Sequence, residues 1–215
     1  MKKLFLAAAV AGLMFSGFAQ AQESFVKPTT GTIKLDVRLT GIIPDESGAI
    51  VSRTGAATGL NVAVNDAYVP TIGLEYYLNP NVSLEVIAGT GNHTVRAVGG
   101  TTNVVVQKLW HVPPTVTAKY HFTPEARVSP YFGAGLTYIW FASQEGKNGF
   151  DVKLSDGFGY ALQAGVDIAT QGPWSVNLDV KKIFFETNAN INFGALKSNV
   201  TLDPLVVSAG IGYKF

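Results

Sequence analysis

The chain has no cysteine, which excludes disulfides, thiolate metal sites and thiol nucleophiles together. Charged residues make up 14% of it, below the roughly one quarter usual for soluble domains. The formal net charge is only +1, so there is no electrostatic case for nucleic acid. Histidine occurs three times, leaving few candidates for acid–base chemistry. After the N-terminal segment no apolar run reaches the ~18 residues expected of a spanning helix. No phosphate loop or dinucleotide fingerprint is present, because the Gly-x-Gly pairs fall inside alternating stretches.

What is there begins with an export signal. Lys2 and Lys3 form a positive start, Leu4 to Phe15 an apolar stretch, and Ala19-Gln20-Ala21 a cleavage site. This divides the chain into a cleaved signal peptide, 1–21, and one domain, 22–215, starting at Gln22. The whole chain is 47% hydrophobic and carries 23 glycines. An exported, apolar chain without a helical span or disulfides points to the wall of a β-barrel.

Periodicity supports that reading. In the C-terminal stretch Leu205, Val207, Ala209, Ile211, Tyr213 and Phe215 alternate with small or polar residues. Seven more stretches alternate in the same way: 32–39, 69–78, 82–90, 112–122, 128–141, 157–169 and 174 to about 186. Short turns follow the second, fourth and sixth. Long, polar, Gly-rich segments follow the first (41–68), third (91–111), fifth (142–156) and seventh (187–202). Outward aromatics fall in two groups. Tyr76, Tyr120, Phe122, Trp174, Tyr213 and Phe215 lie near the turns, and Tyr138, Trp140, Phe158 and Tyr160 near the long segments. The expectation is an all-β, eight-stranded antiparallel transmembrane barrel with short periplasmic turns and four long extracellular loops, in the bacterial outer membrane.

Several motifs can then be named in order: Pro44-Asp45-x-Ser47, Leu74-Glu75-Tyr76-Tyr77-Leu78, Val82-x-Leu84-Glu85-Val86 and Pro113-Pro114-Thr115-x-Thr117-x-Lys119-Tyr120-x-Phe122. Pro130-Tyr131-Phe132-Gly133-Ala134-Gly135-Leu136-x-Tyr138, Gly165-Val166-Asp167, Leu202-Asp203-Pro204 and Gly210-x-Gly212-Tyr213-x-Phe215 complete the set. Together they resemble the OmpW family of small outer-membrane proteins, including the AlkL-type hydrocarbon uptake proteins. The resemblance implies a narrow apolar channel for small hydrophobic molecules. Its apolar constriction carries over to Ile87 alone, since Lys181 stands on the seventh strand. The terminal Phe215 resembles the closing residue of such barrels and implies contact with the barrel-insertion machinery.

The inward faces divide by height. Lys34, Asp36, Arg38, Glu75, Glu85, Lys119, His121, Asp167, Asp179, Lys181 and Lys214 point inward, and apart from His121 acids and bases are equal in number. Such charges are expected to pair in a hydrogen-bonded plug that holds the barrel together. Toward the loops Ile87, Ile139, Phe141, Ile183, Phe185 and Val206 occupy lumen positions, predicting an apolar binding pocket above a charged floor. The floor bars straight passage, so exit is expected sideways, at Pro113-Pro114, where two backbone donors are missing from the ladder. A bulge near Lys182 is an alternative that would turn some of these residues to lipid.

The expected partners are outer-membrane lipid and a small hydrophobic solute, with no cofactor, no nucleic acid and no oligomer implied. A filled structural or adhesive barrel with loop-mediated contacts is the competing class. An enzyme is the third. His93 and His111 come near each other but lack a motif-bearing serine or carboxylate, so they are expected to be surface or interfacial side chains, with no catalytic or metal site.

Overall fold

The computed structural model describes residues 24–215; the signal peptide and its cleavage site lie outside them. Among the described residues there are fifteen strands: β1 (Ile33–Ile43), β2 (Ala49–Ser52), β3 (Ala57–Val64), β4 (Ala67–Asn79), β5 (Val82–Gly89), β6 (Gly91–Gly99), β7 (Thr102–Val112), β8 (Thr115–His121), β9 (Val128–Gly146), β10 (Val152–Leu154), β11 (Gly157–Ala169), β12 (Trp174–Phe184), β13 (Glu186–Ile191), β14 (Leu196–Thr201) and β15 (Leu205–Lys214).

Eight of them close into an antiparallel ring in the order β1-β4-β5-β8-β9-β11-β12-β15. The ring shuts where β15 pairs with β1, Lys214 opposite Lys34 and Leu205 opposite Ile43. Closed in this way the ring has no free edge strand, as a lipid-embedded sheet requires. Alternation decides the two faces: Leu35, Val37 and Leu39 of β1 are exposed, while Lys34, Asp36 and Arg38 between them are buried. The predicted girdle aromatics Phe122, Trp140, Phe158, Tyr160, Trp174 and Phe215 all lie on the outer surface. The turn after β4 is held by Asn79, whose side-chain oxygen accepts from the amides of Asn81 and Val82 at 2.9 Å each.

The long connections differ from the polar loops expected of them: most of their length is strand. β2, β3, β6, β7, β10, β13 and β14 continue the wall beyond the ring, in the order β10-β13-β14-β2-β3-β6-β7, joined to the upper end of β9. The physical reason is alternation on a smaller scale. Val62 and Val64, and Val95 and Ala97, turn to a shared apolar core, which Val106 and Leu109 join across a bulge in β7 opposite Val95 and Arg96. Between β9 and β10 a side chain completes the circuit. Gln144 donates to the Leu154 carbonyl at 3.1 Å and accepts from the Leu154 amide at 2.7 Å, standing in for a strand residue.

Several strand limits also shift, among them the end of β9, which reaches Gly146 rather than Phe141. The first stretch runs on to Ile43, past the expected Leu39. The fourth starts at Thr115, three residues after the expected Val112, because Pro113 and Pro114 have no N–H to offer a ladder. The chain keeps its phase through Lys182, so Ile183 and Phe185 stay inside.

Candidate functional site

The turn-side half of the ring is filled by paired charge. Lys34 reaches Asp167 at 2.6 Å, Asp36 at 3.3 Å and Glu75 at 3.3 Å. Arg38 binds Asp36 at 3.1 Å and, more closely, Glu85. Lys119 bridges Glu75 at 2.9 Å and Glu85 at 3.4 Å, and lies 3.9 Å from the centroid of the Tyr131 ring. His121 meets Glu75 at 3.0 Å and Ser83 at 3.0 Å. Asp179 accepts from Tyr131 and from Gln163, both at 2.8 Å. Lys214 sits at the turn end and donates to the Val26 carbonyl at 3.2 Å. Buried ions are tolerated only when compensated in this way. One oxygen each of Asp36, Glu75 and Glu85 lies within 4.8 Å of the others, but the ammonium and guanidinium groups of Lys34, Arg38 and Lys119 already neutralise the cluster.

The network also has uncharged members, which formal charge in the sequence does not mark. Tyr131, Gln163 and Asn177 are buried and link its carboxylates. Their inward positions in alternating strands were the available signal.

Above the ions the lining changes character. Thr40 shares hydrogen bonds with Thr71 at 2.7 Å and Ser208 at 2.9 Å, forming a hydroxyl layer. On it stands a cavity of about 70 Å³, lined by Ile87, Ile183, Val206 and Lys181 among others. A second cavity of about 80 Å³ lies beyond it, inside the stranded extension, with Phe141, Val62, Val95 and Leu109 in its wall. Ile42, His111, Ile139 and Pro204 border both, so the two are stacked and meet at that level. Of the six apolar positions read from sequence, five line these cavities. Phe185 lines neither; it is buried beside Phe141, their ring centroids 6.5 Å apart. The upper wall comes from β2, β3, β6, β7, β10, β13 and β14, all within segments whose polarity predicts loops. Apolar side chains at every second position, Leu60, Val62 and Val64, then Val95 and Ala97, mark these segments as strands.

His93 and His111 depart from expectation. They are buried rather than surface residues, stacked with ring centroids 4.9 Å apart, because inward alternation on β6 and β7 carries both to the cavity side. Both strands lie in the extension, outside the membrane-spanning ring. Burial, reinforced by the neighbouring His93, pushes His111 down to about pH 4. Burial also lowers His93, against a hydrogen bond to the Asn65 carbonyl. Among the described residues neither nitrogen of His111 has a hydrogen-bond partner.

The wall beside the lower cavity contains a seam. β5 and β8 pair as far as Ile87 opposite Thr115, and β6 and β7 resume at Gly91 opposite His111. Between these points, residues 88–90 face 112–114 without ladder pairs. Pro113 and Pro114 supply the missing donors' physical cause. Ala88, Gly89, Thr90 and Pro113 line the lower cavity, so the seam borders its interior.

The OmpW family profile matches residues 29–215. The chain belongs to the OmpW family. Outer-membrane protein y4mB of Sinorhizobium fredii is 36% identical over 85% of this chain and 79% of its own length. Dibenzothiophene metabolism operon protein PahQ of Pseudomonas aeruginosa is 25% identical over 94% of this chain and 97% of its own. The crystal structure of OprG from Pseudomonas aeruginosa superposes with a TM-score of 0.83, at 24% identity, covering 89% of this chain and 99% of OprG. The protein is thus an eight-stranded barrel of the bacterial outer membrane, from a family of outer-membrane barrel proteins rather than one defined by catalysis.

Proposed function

We propose that this OmpW-family barrel takes a small hydrophobic molecule from the outer surface into its stacked cavities and releases it sideways into the membrane. The observation that carries the reading is a continuous apolar lining that ends on a sealed ionic base below and borders the unpaired 88–90/112–114 seam at the side. Arg38, Glu75, Glu85 and Lys119 are fully buried and mutually paired, so a solute has no downward route that does not break several ion pairs. The seam requires no ladder hydrogen bond to be broken. Similarity to a protein named for a dibenzothiophene metabolism operon adds support for an apolar cargo.

The competing reading is a structural or adhesive barrel whose interior is filled. The two cavities favour uptake over that reading. Uptake of a hydrophobic dye-precursor into proteoliposomes separates them, comparing wild type with Ile87→Lys and Phe141→Lys. Both substitutions place an ammonium in the apolar track and are expected to reduce uptake at least tenfold. Uptake unchanged by both would favour the structural reading.

A further inference from the structure

The lower cavity contains one charged group, and it is poorly used by the protein. Lys181 is 3% exposed and lines the cavity floor. Its nearest anion is Glu85, at 3.8 Å, beyond hydrogen-bond reach. Glu85 does not depend on it: its oxygens take Arg38, Lys119 at 3.4 Å, Gln163 at 2.9 Å and Thr117 at 3.5 Å. Asp179, two residues earlier on β12, takes Tyr131 and Gln163 on its Oδ2, and its Oδ1, though without a hydrogen bond, makes no ion pair with Lys181. The hydroxyls sharing the floor satisfy one another, Thr40 with Thr71 and Ser208, and Thr115 with Thr137 at 2.9 Å. The Lys181 ammonium therefore faces an apolar space with three donors and no hydrogen bond among the described residues. A buried ammonium left in that state costs free energy that an incoming acceptor would recover.

We infer that the solute is an amphiphile with a carboxylate head, which docks on the Lys181 ammonium while its alkyl chain extends past Ile87, Ile183 and Ile139 toward the upper cavity. This rests on the uptake reading and names the substrate class of the same site. A carboxylate offers two oxygens for the free donors and a charge that a hydrocarbon lacks. The stacked, narrow geometry of the cavities suits an unbranched chain. His111 stands at the far end of the lower cavity, where it meets the upper one.

The test uses the mature protein in lipid nanodiscs at pH 8, with the isoleucine methyls carbon-13 labelled. Decane, 1-decanol and sodium decanoate are titrated, and affinity is expressed per mole fraction of each in the bilayer. Folding of every variant is checked by heat-dependent gel migration. In wild type, decanoate should shift the Ile87 and Ile183 methyls with about tenfold higher affinity than decane. Lys181→Met should abolish that preference, whereas Lys181→Arg should keep it. Equal binding of the three probes to wild type, or a preference that survives Lys181→Met, would overturn the carboxylate inference and leave uptake of plain hydrocarbons standing. If no probe shifts any cavity methyl, the uptake reading and this inference fall together.

Discussion

Arg38 donates to Glu85 at the waist of the barrel, with both side chains sealed from solvent. Glu85 is also reached by Lys119, Gln163 and Thr117, so it is the shared acceptor of the upper part of the plug. Removing it leaves a guanidinium and an ammonium buried with less compensation than they had. Glu85→Ala should cost about 3–5 kcal/mol, and Glu85→Gln less, because the amide oxygen still accepts. Urea unfolding of the refolded barrel in bilayers checks this. A loss below ~1 kcal/mol for Glu85→Ala would mean that water enters the plug and solvates those cations.

Gln144 acts as a strand residue by means of its side chain. Its two hydrogen bonds to Leu154 are what join β10 to β9. Gln144→Leu keeps the bulk and removes both bonds, at a cost of about 1–3 kcal/mol to the extension. Amide exchange at Leu154 and Val152 should accelerate at least tenfold, with the protection of β11 and β12 unchanged. Equal protection of Leu154 in the variant would show that β10 is held by packing alone.

The stacked His93 and His111 make the extension acid-sensitive. Their folded-state values lie below the ordinary histidine value of 6.5, with His111 at about 4. The unfolded extension therefore binds more protons than the folded one in between, and stability falls as pH falls. The contribution is fully present above pH 6.5 and is lost progressively down to about pH 4. Nitrogen-15 histidine spectra should place the His111 titration well below the normal range. Protection of β6 and β7, corrected for intrinsic exchange, should drop over the same window. A His111 titration near 6.5 with flat protection would contradict this.

The ring was legible because each transmembrane strand must put lipid on one side and lumen on the other, which writes a period of two into the chain. Lys34, Asp36 and Arg38 against Leu35, Val37 and Leu39 is that rule in its simplest form. Phase also located Ile87, Ile139, Ile183 and Val206 at the cavity wall, without any knowledge of which strands were neighbours. The stranded extension was not legible in the same way. Its outward residues meet water, so Asn61, Asn92, Thr94 and Asn103 sit among the valines and the segments read as polar loops. The cross-strand partners of Glu85 and the stacking of His93 on His111 depend on register. Register is fixed by the pairing of neighbouring strands, β5 with β8 and β6 with β7, and not by either strand alone.

Sideways release through the seam is the claim on which the functional account rests, and the absence of native cysteine makes it directly testable. Extending the β5–β8 register places Ala88 opposite Pro114. Gly89 is unsuited to carry a cross-link, because a Cβ there would meet the Thr71 methyl at 2.6 Å. The measurement is hydrophobic-solute uptake by Ala88→Cys/Pro114→Cys barrels in proteoliposomes, oxidised and then reduced. The account predicts that the disulfide-closed seam stops uptake and that reduction restores it to the rate of the unoxidised variant. Equal uptake with the seam locked and unlocked would contradict it.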